Sequence, residues 1–302
     1  MPETNAQTQA AKELLDPQFL KKLEQLQITA KKVFGGRMRG ERRSKRRGVS
    51  IEFADYRDYV RGDDLRHIDW NIYGRLDRFF LKLFMEELDL FFYIILDASK
   101  SMEFGDPQKL LYAKKVAAAL AYIGLTHQDK VAISAFANGV KDEMKPARGR
   151  AYVWRMLEFL QQIEPDGQTS LGETCKNFVQ KNRQRGIVVL ISDFLDQNGY
   201  EDALKYFLHG NYEVFVIHVL DKEEMEPEMQ GHMELIDCEF DDKAEVSVTP
   251  ALLKQYRRTV EAYCTQIRDY STRYGMTYLL SRTDLPFDEL IMKYLREKGM
   301  LK

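Results

Sequence analysis

The sequence has few cysteines, no long apolar run and little net charge, and each shortage excludes a class of protein. Its three cysteines, Cys175, Cys238 and Cys264, are widely spaced and form no C-x-x-C pair. We therefore expect a reducing compartment, with neither a disulfide framework nor a zinc site. Apolar runs such as residues 90–96 are far shorter than the about 20 such residues that a membrane-spanning helix needs. Because the N-terminus also lacks a signal-peptide pattern, the sequence predicts a cytoplasmic protein, with peripheral attachment to a membrane complex left open.

Several common catalytic patterns are missing as well. The formal net charge of −2 argues against a general nucleic-acid coat. The five histidines show no H-x-x-x-H spacing, and no G-x-x-x-x-G-K-[ST] loop occurs, so the usual zinc-hydrolase and nucleotide-binding motifs are excluded. His218 lies within an apolar strand and is predicted to be a core histidine with satisfied hydrogen bonds. Hydrophobic residues make up 44% of the chain, so a large core can form.

Apolar strands and helices alternate from residue 88 onward, which predicts an α/β domain. Near-continuous apolar runs are typical of parallel strands buried on both faces, and they occur at residues 90–96, 131–137, 187–191, 214–220 and 276–280. Helices are predicted at residues 109–125, 151–163, 171–184, 201–208, 250–274 and 286–297. An edge hairpin is predicted at residues 233–248. This alternation predicts a doubly wound, mostly parallel sheet.

The N-terminal part of the chain follows a different pattern. A helix is predicted at residues 16–34, ended by a pair of glycines. A basic stretch follows, and residues 48–86 are rich in aromatic and charged side chains, with strand-like pieces at 51–53 and 78–85. We therefore predict three parts. They are an N-terminal helical segment (1–36), the basic stretch with a small β-containing accessory lobe (37–87), and the main α/β domain (88–302).

Polar side chains follow the first predicted buried strand in the pattern D-x-S-x-S. Asp97, Ser99 and Ser101 lie at its carboxyl end, where α/β sheets bind ligands. Because alternate residues can point to one side of a loop, the carboxylate and the two hydroxyls can converge on one point. Such hard oxygen donors suit Mg²⁺, Mn²⁺ or Ca²⁺ rather than zinc. Ser and Asp also cap the helix that follows a strand, so the pattern alone leaves that alternative open.

Two further residues occupy matching positions later in the chain. Thr169 follows the turn EPDGQ and precedes a predicted helix, and Asp193 follows the strand IVVLI and one serine. Together the five residues resemble the metal-ion-dependent adhesion site (MIDAS) of von Willebrand factor A domains, which have a Rossmann-like α/β fold. The resemblance implies that an acidic residue of a protein partner completes the site. It also implies that Mg²⁺, or Mn²⁺ or Ca²⁺, is bound by Asp97, Ser99, Ser101, Thr169 and Asp193.

A longer signature precedes the metal motif. Residues 57–70 read RDYVRGDDLRHIDW, which resembles the signature of the bacterial domain-of-unknown-function 58 (DUF58) family, whose members carry a von Willebrand factor A-like domain. The resemblance implies an association with a MoxR-type AAA+ ATPase. Alternating charges favour an ion-pair and hydrogen-bond network that fixes the accessory lobe against the main domain, with a partner-docking surface or a catalytic carboxylate cluster as alternatives. The residues concerned are Arg57, Tyr59, Asp63, Asp64, Arg66, Asp69, Trp70 and Arg75.

The basic stretch offers a separate candidate surface. A solvated loop, an acidic protein surface, anionic lipid and nucleic acid are the alternatives for it. Nucleic acid is the least favoured, because no aromatic side chains for base stacking interleave with the charges. The basic side chains are Arg37, Arg39, Arg42, Arg43, Lys45, Arg46 and Arg47.

These observations predict a protein-interaction module rather than an enzyme. Neutral hydroxyls leave a bound divalent cation electrophilic, and the sequence offers no positioned general base for hydrolysis. We therefore expect a non-enzymatic, Mg²⁺-dependent module that works with a MoxR-type ATPase in chaperone-like or complex-assembly activity. The alternatives are a metal-dependent phosphoesterase, and a protein that binds nucleic acid or another anionic surface through residues 37–47.

Overall fold

The structure is a computed structural model that describes residues 21–24, 52–61, 63–85, 90–229, 231–240, 243–297 and 301. The side chains of residues 52–55, 67, 82–85 and 293–295 are not described either. The chain divides into two compact units, one of residues 33–89 and one of residues 1–32 with 90–302. Of the predicted N-terminal helix, residues 21–23 are helical. The rest of that helix and the basic stretch 37–47 lie outside the described residues. Within the described ranges, no helix is both long and apolar enough to cross a membrane.

The described part of the smaller unit includes a two-stranded antiparallel sheet and a short α-helix. Strand β1 (Glu52–Asp58) pairs with strand β2 (Phe80–Met85), and helix α1 (Trp70–Leu76) lies between them in the chain. Asp69 caps α1, because its Oδ1 accepts the N–H of Asn71 at 2.9 Å and that of Ile72 at 3.3 Å. The sequence predicted both strands but not α1. This segment is rich in aromatic, β-branched and glycine residues of low helix propensity, so the helix depends on its cap.

The larger unit is built on a six-stranded sheet. The described strands of this unit are, in chain order, β3 (Phe91–Asp97), β4 (Lys130–Ala137), β5 (Gly139–Ala147), β6 (Gly186–Ser192), β7 (Glu213–Leu220), β8 (Gly231–Ile236), β9 (Lys243–Val248) and β10 (Thr277–Arg282). Strands β8 and β9 form a separate hairpin, and the other six form the main sheet. The sheet order is β10-β7-β6-β3-β4-β5. Neighbouring strands are parallel except β5, which runs antiparallel to β4. The predicted doubly wound, mostly parallel α/β sheet is confirmed.

Helices cover both faces of this sheet. They are α2 (Lys109–Thr126), α3 (Val153–Gln162), α4 (Leu171–Lys181), α5 (Glu201–His209), α6 (Lys222–Met225), α7 (Pro250–Arg273), α8 (Phe287–Glu289) and α9 (Leu295–Glu297). Helix α2 packs against β3 and β4 and is buried along almost its whole length. Helices α4, α5 and α7 form the core of the opposite face with alternate residues of β3, β6 and β7. The central strands are therefore buried on both sides, as their continuous apolar runs predicted.

Three elements differ from the sequence prediction. Strand β5 was not predicted, because it is an edge strand whose mostly polar side chains lack the apolar run of a central strand. The hairpin of β8 and β9 was predicted to extend the main sheet, but these strands pair only with each other in the described part of the chain. The predicted helix at 286–297 is broken by a π-helical segment, Leu290–Tyr294.

One glycine position tests the pairing of the two central strands. Gly186 opens β6 opposite Phe91, and a Cβ placed there would lie 2.1 Å from the carbonyl oxygen of Phe91. Because that oxygen belongs to a paired strand, we expect Gly186→Ala to lower the free energy of unfolding by about 3 kcal/mol in urea denaturation. Gly172→Ala in α4 is the control, since its Cβ would meet no atom within 4 Å. It should stabilise by up to about 1 kcal/mol. An unchanged midpoint for Gly186→Ala would contradict the pairing.

Candidate metal site at the carboxyl edge of the sheet

The candidate site lies at β3, where the order in which the chain adds strands to the sheet reverses. From β3 the chain first adds β4 on one side, and β6 later pairs on the other side. Such a reversal leaves a crevice outside the carboxyl ends of the strands. Asp97 ends β3, and Asp193 directly follows β6. Both carboxylates are completely buried, so the fold places two acidic groups at one edge without solvent to screen their charge.

The D-x-S-x-S loop brings its three polar side chains together. The Oγ of Ser99 donates to Oδ1 of Asp97 at 2.8 Å and lies 3.0 Å from the Oγ of Ser101. The backbone N–H of Ser99 donates to the same carboxylate oxygen at 3.0 Å. All three residues are buried. One carboxylate and two hydroxyls thus converge as the spacing predicted.

Ser192 is a member of this cluster that sequence reasoning did not select. Its Oγ donates to Oδ2 of Asp97 at 2.6 Å and accepts the N–H of Phe194 at 2.9 Å. Each oxygen of Asp97 therefore receives a hydroxyl, one from its own loop and one from the end of β6. The signal in the sequence was the position of Ser192 directly before Asp193, at the end of the buried strand.

Thr169 lies on a loop that runs beside the D-x-S-x-S loop. The N–H of Asp166 donates to the carbonyl of Ala98 at 2.9 Å, and the N–H of Lys100 donates to the carbonyl of Gly167 at 3.0 Å. The side chain of Thr169 does not hydrogen-bond to Asp97 or Asp193. Its Oγ1 donates to Oε1 of Glu239 at 2.9 Å. The structure therefore places the Thr169 loop against the site and gives Thr169 a carboxylate partner that the sequence did not indicate.

A buried lysine holds Asp193. The Nζ of Lys109 lies 2.7 Å from Oδ2 of Asp193 and 2.6 Å from Oε1 of Glu224, and its side chain is fully buried. Lys109 is the first residue of α2, where the helix dipole disfavours a cation. That unfavourable position was the available signal that Lys109 needed carboxylate partners. Glu224 is itself held by the N–H of Asp221, which donates to its Oε2 at 2.8 Å.

The electrostatics of the cluster favour an added cation. Burial, together with the charge of Asp193, raises the pKa of Asp97 to about 7 against the hydrogen bonds from Ser192 and Ser99. Burial lowers the pKa of Lys109, but the charges of Asp193 and Glu224 outweigh it and raise the net value. Lys109 therefore remains a cation. Asp193 and Glu224 share this ammonium, whereas Asp97 has no ion pair among the described residues, so an added cation would stabilise its charged form.

The donor set fits a hard divalent cation better than a soft one. Among the described residues, no three His, Cys, Asp or Glu side chains are grouped as metal ligands, so a cation here would take much of its coordination from hydroxyls. Carboxylate and hydroxyl oxygens suit Mg²⁺, Mn²⁺ or Ca²⁺. The converging oxygens of Asp97, Ser99 and Ser101 would supply the first ligands, and Asp193 with Thr169 would flank them.

His218 holds the backbone of Asp193 by a hydrogen bond to its carbonyl oxygen. It is fully buried, and its Nε2 lies 2.9 Å from the carbonyl oxygen of Asp193 while its Nδ1 lies 2.9 Å from the hydroxyl of Tyr278. Burial lowers its pKa to about 4, so the imidazole is neutral at physiological pH. The prediction of a core histidine with satisfied hydrogen bonds is confirmed.

The signature residues of the smaller unit pair locally. Arg57 binds Asp63 at 2.9 Å and Arg66 binds Asp64 at 3.0 Å, both near the surface. Asp69 caps α1 and also accepts the hydroxyl of Tyr56 at 3.2 Å. Ion pairing within the unit is therefore present for these members of the signature. Exposed pairs of this kind contribute little to stability.

Aromatic side chains of the same unit remain at the surface. Trp70 is 60% exposed, and its ring packs edge-on against Tyr73 and Phe79, while Tyr59 packs against Phe79. Arg75 is exposed on the same helix as Trp70. An exposed aromatic group of this size is typical of a contact surface for another protein, so partner docking stays a prediction for this unit.

The sequence is similar to a described protein family and to bacterial relatives. Residues 55–266 match the family model described as protein of unknown function DUF58. The uncharacterized protein Rv1480 of Mycobacterium tuberculosis (strain ATCC 25618 / H37Rv) is 27% identical over 294 residues, which cover 95% of this chain and 92% of that protein.

Solved structures resemble the chain at lower identity. The conserved hypothetical protein BatB from Bacteroides thetaiotaomicron is 17% identical with a TM-score of 0.44, over 70% of this chain and 98% of that chain. The SpRpn10 VWA domain is 12% identical with a TM-score of 0.40, over 68% of this chain and 94% of that chain.

The buried ion pair yields a stability prediction. Lys109→Met removes the one ammonium between Asp193 and Glu224, so we expect the free energy of unfolding to fall by about 3–5 kcal/mol. Lys205→Met is the matched control, because its 2.7 Å ion pair with Asp202 is at the surface. The control should change stability little. Equal urea midpoints for the two variants would contradict a buried charge at Lys109.

Proposed function

The chain belongs to the DUF58 family and has a von Willebrand factor A-like fold, and we propose that it is a non-enzymatic module that recognises a protein partner through Mg²⁺. In this proposal Asp97, Ser99 and Ser101 hold the cation, and Thr169 and Asp193 flank it. The observation that carries the proposal is the convergence of one buried carboxylate and two hydroxyls beside a second buried carboxylate.

The donors of this chain explain why such a site would recognise an acidic group. Hydroxyls carry no charge, and Lys109 already neutralises part of the charge of Asp193. When bound, the cation supplies an electrophilic centre that attracts one more anionic oxygen. The protein's own residues would hold that cation, and their burial would limit the access of water to them. A glutamate or aspartate of a partner is the group that fits.

Exposed apolar side chains surround this edge of the sheet. Phe104 follows the D-x-S-x-S loop and is 43% exposed, and Leu195 follows Asp193 and is 48% exposed. Val140, 42% exposed, pairs with Phe136 at the carboxyl end of β4. Apolar groups around a polar centre are typical of protein interfaces. They support a partner that presents an acidic residue within an apolar surface.

The groups near the site do not favour hydrolysis. The hydroxyl of Ser99 donates a hydrogen bond to Oδ1 of Asp97, but both residues are completely buried, so Ser99 is not presented to an external substrate as a nucleophile. His218 is fully buried with both ring nitrogens engaged, so it cannot act as a base on an external substrate. The phosphoesterase alternative therefore gains no support. The nucleic-acid alternative rests on residues 37–47, which lie outside the described residues.

The partner we propose is a MoxR-type AAA+ ATPase, with a chaperone-like or complex-assembly role in the cytoplasm. This part rests on the DUF58 resemblance and on the chemistry above, which requires an acidic residue on the partner. The exposed aromatic residues around Trp70 are a second candidate contact for the same partner.

Binding to the purified ATPase tests the proposal. We expect binding in Mg²⁺ that is lost in chelator and lost in Asp97→Asn, because the amide cannot supply the carboxylate ligand. Asp166→Asn is the control, since its side chain is 70% exposed on the adjacent loop and should bind as wild type does. Urea denaturation checks that both variants fold. Binding that persists in chelator would contradict the proposal, and no binding in either condition would exclude this partner.

A further inference from the structure

The turn of the β8–β9 hairpin contacts Thr169, at one side of the candidate site that we call the Thr169 corner. Glu239 lies in that turn. Its Oε1 accepts a hydrogen bond from Oγ1 of Thr169 at 2.9 Å, and its Oε2 accepts the backbone N–H of Thr169 at 3.0 Å. The carbonyl of Glu239 also accepts the side-chain amide of Gln168 at 3.2 Å. A carboxylate held by two donors of one residue is a bound anion rather than a chance surface contact.

The turn is shaped to present this carboxylate. Oδ1 of Asp237 accepts the N–H of Glu239 at 2.8 Å and that of Phe240 at 3.0 Å, which fixes the turn by a side-chain cap. Thr169 lies two residues before Leu171, the first residue of α4, and the N-terminal dipole of that helix favours an anion. The hairpin thus supplies an acidic group to Thr169, a residue that would flank the cation to which we expect a partner's acidic group to bind.

We propose that Glu239 is an internal substitute for the partner's acidic residue, and that the hairpin tip must leave Thr169 before a partner can bind. The tip means residues 237–240, the described part of the turn. This inference rests on the proposed function, because it describes how the same site is regulated. In the free chain, Glu239 then occupies the place of the partner's acidic residue. Partner binding replaces the carboxylate of Glu239 with a carboxylate of the partner.

The hairpin is suited to such an exchange. No described residue of β8 or β9 is buried, and within the described residues these strands pair only with each other. Release of the tip therefore breaks the contacts to Gln168 and Thr169 without exposing a core. A partner carboxylate at Thr169 would restore the same two hydrogen bonds. The exposed side chains of Leu235, Ile236 and Phe240 give a partner an apolar surface by which to hold the displaced hairpin.

Hydrogen exchange tests the contact without a metal. In Glu239→Ala the N–H of Thr169 loses its acceptor, so its exchange should become about tenfold faster or more. Glu239→Gln retains an acceptor oxygen and should give a smaller increase. Glu234→Ala is the control, because Glu234 lies on β8 of the same hairpin and pairs only with the exposed Lys243 among its described contacts. Exchange at Thr169 that is equal in Glu239→Ala and wild type would overturn the inference.

Mn²⁺ with acetate tests the competition. Bound Mn²⁺ speeds water-proton relaxation through its coordinated waters, and acetate that replaces a water lowers the rate. We expect acetate to have no effect on Mn²⁺-loaded wild type or Glu234→Ala, and to lower the rate saturably in Glu239→Ala. An equal acetate effect in wild type would overturn the inference. If Mn²⁺ binds neither protein, the proposed metal-dependent function fails, and the exchange rate at Thr169 still decides whether Glu239 covers the corner.

Discussion

The ion pairs of buried Lys109 hold the candidate site together. Its ammonium lies between Asp193 and Glu224, so it joins the end of β6, the start of α2 and the segment after β7. A buried carboxylate without such a partner would cost several kcal/mol. The ion pair with Lys109 therefore offsets the cost of burying Asp193 at the carboxyl edge of the sheet. The same arrangement leaves Asp97 without a cation of its own, and its carboxylate is satisfied only by hydroxyls and an N–H.

This division of charge explains how one sheet edge can serve recognition. One carboxylate is neutralised within the fold, and the other is left to bind an added cation with Ser99 and Ser101. The Thr169 corner is covered by Glu239 in the free chain. In the free chain, the ammonium of Lys109 therefore pairs with Asp193, and the carboxylate of Glu239 binds the hydroxyl of Thr169. Both groups are supplied by segments that belong to the same compact unit.

The parts that the sequence could predict are those with short-range or periodic signals. Apolar runs gave the central strands, and the D-x-S-x-S spacing gave the cluster of Asp97, Ser99 and Ser101. The parts that it missed depend on contacts between distant residues. Lys109 meets Asp193 across 84 positions and Glu224 across 115. Glu239 meets Thr169 across 70. No local pattern marks such pairs, and only the cation at a helix N-terminus hinted at one of them.

Calorimetric titration of the purified chain with Mg²⁺ tests the central claim most directly. The account predicts saturable binding at one site in the wild-type protein and its loss in Asp97→Asn. Asp202→Asn removes an exposed carboxylate of α5 that pairs with Lys205, and this variant should bind as wild type does. Absence of Mg²⁺ binding by the wild-type protein, or equal binding by Asp97→Asn, would contradict a metal site formed by Asp97, Ser99 and Ser101.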